Sequence, residues 1–138
     1  MNIVLDIDGP RDHEYVLEVA EALAECPRVL NHLTMSHGAI RYAAEADTVI
    51  RFLAATASRL PQLLGQLAQW LAAEQAQGRL ETHGGDYATL PAMAQAAVSA
   101  YLEEASVLAV QMQQALDAAA RITNDMATAA GDGEDGDG

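Results

Sequence analysis

A chain of 138 residues that is 51% hydrophobic can close one core, but with aromatic residues at 4% that core must be made of Ala, Leu, Val, Ile and Met, a composition that favours helices. Twenty acids against seven bases give a net charge of −13, which argues against direct binding to nucleic-acid phosphates or anionic membrane surfaces and suits a basic or neutral protein partner. Cys26 is the sole cysteine, so an intrachain disulfide or a cysteine-cluster metal site is excluded, and the residue reads as a small buried or half-buried side chain.

The acidity lies mostly at the ends: residues 1–26 hold seven acids and one arginine, and the last seven residues hold four acids. No stretch approaches the roughly 18 to 20 apolar residues of a membrane span, and the N-terminus lacks the basic region of a signal peptide, so a cytoplasmic protein is expected.

In chain order, Asn2 to Ile7 form an apolar-rich run ending in Asp8-Gly9-Pro10, read as an extended arm over 1–11 and a turn. From Asp12 to Glu25 the pattern is an amphipathic helix, with Val16, Leu17, Ala20, Leu23 and Ala24 on one side and Glu14, Glu18, Glu21 and Glu25 on the other. Pro27 predicts a break near Cys26, a short second helix over Arg28 to Met35, and an exit at Ser36-His37-Gly38.

A long helix is expected over 39–77, because Ala46, Ile50, Leu53, Ala57, Leu60, Leu64, Leu67 and Leu71 step by four and three as a heptad seam does. The seam keeps its phase through Pro61, which favours one helix kinked near residues 57 to 61 over a clean break. Gln77-Gly78 is a stop, and Thr82-His83-Gly84-Gly85-Asp86 a reversing turn. Thr89 is the expected N-cap of a second arm over 90–127, with Pro91 in its first turn. Its seam is Ala94, Ala97, Tyr101, Ala105, Leu108, Met112, Ala115, Ala119, Ile122 and Met126, with a stutter around Tyr101. At 1.5 Å per residue each arm would reach roughly 55 Å.

The expected fold class is therefore all-α: a long antiparallel helical hairpin with the N-terminal helix packed on it as a three- or four-helix bundle. One domain would span 1–128, followed by a disordered acidic tail over 129–138.

Glu14, Glu18, Glu21 and Glu25, spaced by four, three and four, line one helix face; a solvated face explains them, and the sharper reading is a surface that docks a basic partner or imitates nucleic-acid phosphates. Trp70 is expected to close the turn end of the core against Leu90 and Met93, the alternative being an exposed partner anchor. His13, His32, His37 and His83 lie in separate segments without metal-ligand spacing, and the tail acids lack the pattern of a calcium loop, so no metal and no cofactor are expected.

Ile3-Val4-Leu5-Asp6-Ile7-Asp8-Gly9 resembles the opening motif of the haloacid dehalogenase superfamily, which would imply a nucleophilic Asp6 and a general acid or base in Asp8 beside magnesium. The match covers seven residues. Pro10 then stands where threonine or valine is usual, and the rest supplies no β-α alternation to build the parallel sheet such a nucleophile needs. A polar turn after an N-terminal arm is the reading preferred.

The two-arm outline is similar to the small secreted WXG proteins, but Trp70-Leu71-Ala72 lacks their tripeptide and Tyr101-Leu102-Glu103-Glu104-Ala105 lacks the acid four places after tyrosine. The alanine-rich, lysine-free text, above all Leu60-Pro61-Gln62-Leu63-Leu64 through Gln69-Trp70-Leu71-Ala72, also resembles small helical proteins of actinobacterial genomes and their mobile elements, a resemblance that implies no activity.

With no converging nucleophile, base and orienting group, and no phosphate loop, the expectation is a protein without enzymatic activity. It would be a helical interaction or assembly protein that self-associates, with Trp70 among its contact residues. The alternative is an acidic regulator that binds a basic protein through the Glu14–Glu25 face.

Overall fold

The computed structural model describes residues 3–129. The chain is all-helical: α1 (His13–Thr34), α2 (Ala43–Ala76) and α3 (Pro91–Thr123), with a single 3-10 turn at Gly85–Tyr87 and no strand among the described residues. Its internal contacts divide it into two compact units, Met1–Arg41 and Tyr42–Gly138, each of which is described by itself. The expected acidic tail falls, from residue 130 onward, outside the described residues.

In the first unit, Asp12 caps α1 by accepting the Tyr15 N–H at 2.8 Å, and Glu14 follows in the first turn, where the helix dipole favours an acid. The segment before it is no free arm. Asp6 Oδ1 accepts the Asp8 N–H at 2.9 Å and the Asp6 carbonyl accepts the Gly9 N–H at 3.1 Å, which curls the chain into a local turn. The Tyr15 hydroxyl then accepts the Asp6 N–H and donates to the Val4 carbonyl, both at 2.9 Å. Asp6 thus serves the backbone of its own turn.

The expected break near Cys26 is absent: α1 runs unbroken through Pro27 to Thr34, so no separate helix exists over 28–35. A proline ring removes one hydrogen bond, the one its N–H would have donated to the Leu23 carbonyl, and strains one turn. Good helix formers on both sides keep the phase, and Glu25 pairs with Arg28 across the junction. Cys26 is exposed rather than buried.

In the second unit, α2 begins at Ala43 rather than Ala39, because Gly38 sits at φ +85° and Tyr42 is extended at φ −126°, ψ 148°. The helix continues through Pro61 without a break. It ends as a Schellman motif: Gly78 takes φ +69°, its N–H bonds the Gln75 carbonyl at 3.0 Å, and the Arg79 N–H bonds that of Glu74 at 3.0 Å.

The expected N-cap of α3 is a correction. Thr89 lies in the left-handed region at φ +62°, and Leu90 takes the cap position without a side-chain bond, followed by Pro91. The hydroxyl that serves this end belongs to Thr82, which accepts the Leu90 N–H at 3.2 Å and donates to the Tyr87 carbonyl at 2.6 Å. A residue outside the helix reaches in because the reversing turn folds Thr82 beside it.

α2 and α3 pack antiparallel. Their register is set at the open end, where Ala43 N–H meets Thr128 Oγ1 at 2.7 Å, Asp47 meets Thr123, and Arg51 Nη2 meets the Ala120 carbonyl at 3.4 Å. The buried core of the described chain is four alanines, Ala54, Ala57, Ala109 and Ala120, with Ala57 at 0% exposure.

The shielded seam keeps heptad steps; on α2 the expected Ile50, Ala57, Leu64 and Leu71 hold while the alternate positions move by one residue, and on α3 the larger residues of the expected seam turn outward. On α2 it runs Ile50, Ala54, Ala57, Pro61, Leu64, Ala68, Leu71, so Ala54 and Ala68 take the places expected for Leu53 and Leu67. On α3 it runs Ser99, Leu102, Ser106, Ala109, Gln113, Leu116, Ala120, Thr123. Tyr101, Leu108, Met112, Ala115 and Ile122 are exposed, each one residue before a shielded position. The stutter expected at Tyr101 is therefore not part of the seam. Small side chains let two helix axes approach closely, and that contact rotates the larger side chains outward.

Candidate interaction surface

Beside the alanine seam, each helix of the hairpin carries a second stripe. In an antiparallel pair, the positions that precede the seam in each helix fall on the same side. That side holds Leu53, Leu60, Leu63, Leu67 and Trp70 from α2, with Val98, Tyr101, Leu108, Met112 and Ile122 from α3. The register of the open end, carried along both helices at equal rise, sets Leu60 level with Met112, Leu63 with Leu108, and Trp70 with Tyr101.

These are large apolar side chains facing solvent: Leu63 is 42% exposed, Leu108 56%, Trp70 60% and Tyr101 71%. Trp70 therefore does not close the core against Leu90 and Met93, which are themselves exposed. Level with Tyr101, it stands about two turns from Met93 along α3. Single exposed leucines are ordinary on a protein surface, whereas a continuous apolar stripe two helices wide is not.

Charge is sorted to match. Arg51, Glu103 and Asp117 lie on the opposite flank, where Arg51, Ser58, Gln113 and Asp117 line a shallow recess of about 260 Å³ together with Ala54 and Ala55. Glu45, Arg59, Glu104 and Arg121 lie on the backs of the helices, and Asp47 in the seam. Only Glu74 reaches the edge of the apolar flank, and Arg79 engages it through Nε and Nη2, each at 2.7 Å. That guanidinium holds the Glu74 carboxyl below its usual range. Val107 and Val110 are the exposed aliphatics of the polar flank.

Glu14, Glu18 and Glu21 are exposed along α1 with their spacing intact, while Glu25 is half-buried and bonded to Arg28 Nε at 2.7 Å. The hydrogen bond from Arg28 is the chief reason its carboxyl is held below the usual range. One member of the acidic stripe is thus already paired.

Among the described residues no three His, Cys, Asp or Glu side chains lie together as a metal site would require, and no helix is long and apolar enough to cross a membrane. His83 has Glu81 at 3.1 Å as its exposed companion. No protein-family model, curated protein or solved structure matches the chain.

Periodicity alone places Leu53, Leu60, Leu67, Tyr101, Leu108, Met112 and Ile122 in the hairpin interior, which hides most of the flank. One signal could have found it: each arm carries more large apolar residues than a single seam has places for, spread over a face wider than one contact.

Proposed function

We propose that this chain is a non-enzymatic protein–protein interaction or assembly protein, which associates with helical partners, its own copies first among them, through the apolar flank of the α2–α3 hairpin. The observation that carries this reading is the exposed apolar stripe itself, where Leu53, Leu63, Leu67, Trp70, Tyr101, Leu108 and Met112 face solvent with no charged residue among them. The two hairpin helices hold six acids, Glu45, Asp47, Glu74, Glu103, Glu104 and Asp117, and of these only Glu74, beyond Trp70, reaches the flank. Burial in a complex is the physical reason to keep them out, since an unpaired buried carboxylate is far costlier than an exposed one.

The role requires no cofactor and no metal, and a cytoplasmic setting suits a chain with a free exposed thiol at Cys26. Light scattering of the full chain at two protein concentrations, in about 0.1 M and about 1 M salt, tests it. A species heavier than the monomer that persists or grows at high salt is the expected result, because screening does not weaken apolar contact. A monomer in all conditions overturns self-association. An association lost at high salt points instead to charge-driven docking, the role of a Glu14–Glu25 surface with a basic protein.

A further inference from the structure

We infer that the occupant of the apolar flank is the same flank of a second copy, two hairpins packing into a four-helix bundle, and that the hairpin folds and pairs in one step. The inference rests on the assembly reading above and names its partner and its energetics.

Area favours a second copy. The flank, which Val49 extends by one turn before Leu53, runs for roughly 32 Å to the level of Trp70 and is about 18 Å wide, two helices side by side at ordinary separation. That is about 600 Å² of projected face per copy and about 1,200 Å² for a pair, the size at which specific interfaces become stable. Charge agrees: two copies, each strongly negative, can meet here without placing carboxylates opposite one another. A two-fold axis near Leu63 and Leu108 would set the bulky Trp70–Tyr101 end of one copy against the slimmer Leu53–Ala119 end of its partner, a self-complementary fit of the kind a symmetric pair requires.

Coupling follows from what the hairpin lacks. Its seam buries alanines, each of which removes little apolar surface from water, while ordering two helices of 34 and 33 residues carries the full entropy of fixing their backbones. Leu53, Leu63, Leu67, Trp70, Leu108 and Met112, which could offset this, stand outside, and Ile50, Leu64, Leu71, Leu102 and Leu116 of the seam are only half-covered. A second copy covers them and completes a core of ordinary composition.

The test follows the full chain through a dilution series of about three decades, measuring mass by sedimentation and helix content by far-UV circular dichroism. Mass and helicity are expected to fall together with one midpoint, and the melting temperature to rise with concentration. Mass halving at unchanged helicity overturns the coupling and leaves the assembly reading standing; a fully helical monomer at every concentration overturns both. Two variants locate the surface. Leu63→Glu is expected to raise the dissociation midpoint by tenfold or more, since a charge is buried. Val107→Glu, at the same level on the polar flank, is expected to leave it unchanged, and equal effects from the two overturn the flank as the site.

Discussion

The Thr123 hydroxyl donates a 2.6 Å hydrogen bond to Asp47 Oδ1, tying the last turn of α3 to the start of α2. The same carboxylate receives Arg51 Nε at 2.8 Å, so one side chain joins the hairpin's open end from both directions. Thr123, followed by Arg51, holds the Asp47 carboxyl below its usual range. A carboxyl lowered in the folded state stabilises the fold fully above its unfolded value near pH 3.9, and that contribution is lost as pH falls through the folded value. Helicity followed against pH should therefore decline below about pH 4. In Thr123→Val the whole curve should sit lower and this step should shrink; an unchanged acid transition would remove Asp47 from the register.

Ala57 tests the seam. Heptad logic invites a leucine there, but at 0% exposure between two close axes there is no volume for one. Ala57→Leu should destabilise the hairpin by about 1–3 kcal/mol in chemical denaturation through overpacking. A gain in stability would mean that the helices sit further apart than described.

Thr89 is a β-branched residue at φ +62°, a conformation that costs of order 1–3 kcal/mol. Thr89→Gly should relieve it and raise the melting temperature by a few degrees. Gly78→Ala, at φ +69° with nothing within 4 Å of the added carbon, isolates the opposite effect and should destabilise by about 1 kcal/mol.

Thr82 should matter more to α3 than the residues flanking Pro91. Thr82→Ala removes the hydroxyl shared by the Leu90 N–H and the Tyr87 carbonyl, leaving only their direct 2.9 Å bond, and should lower stability by about 0.5–2 kcal/mol, whereas Thr82→Ser should recover most of the loss.

In the first unit, Tyr15→Phe deletes the hydroxyl that accepts the Asp6 N–H and donates to the Val4 carbonyl, with the Asp6 carbonyl at 3.4 Å, a loss of about 1 kcal/mol for each of the two shorter bonds in local stability. Limited proteolysis should then cut before Asp12 faster than in the parent chain, with the helicity of α1 unchanged.

The element type, the hairpin and its turn were legible in the sequence, because Gln77-Gly78 and Pro91 punctuate two long periodic runs. The phase was legible only in part. Pattern reasoning assigns the largest apolar residues to the interior, so Leu53, Tyr101, Leu108 and Met112 were placed in the seam that Ala54, Leu102, Ala109 and Gln113 occupy. Periodicity reports that a face is apolar, not which edge of a wide face meets the neighbouring helix. Pro27 predicts a break that does not occur for a related reason: its local penalty is real, but a continuous run of helix formers absorbs it. The hydroxyls of Tyr15 and Thr82 act across the chain, where no local pattern could show them.

The sorting of charge has a last consequence, for how far assembly can go. Once two hairpins have joined through their apolar flanks, the hairpin surface left over is the one that carries the acids. A third hairpin meets mutual repulsion and no second apolar stripe to hold it. The growth of an open fibre needs complementary patches that remain free after each addition, and here the patch is self-matching and is consumed by the first addition. The same arrangement that favours a partner therefore makes the product finite, and concentrated solutions should stay clear at neutral pH and turn turbid as the pH nears 4.3, where the net charge vanishes.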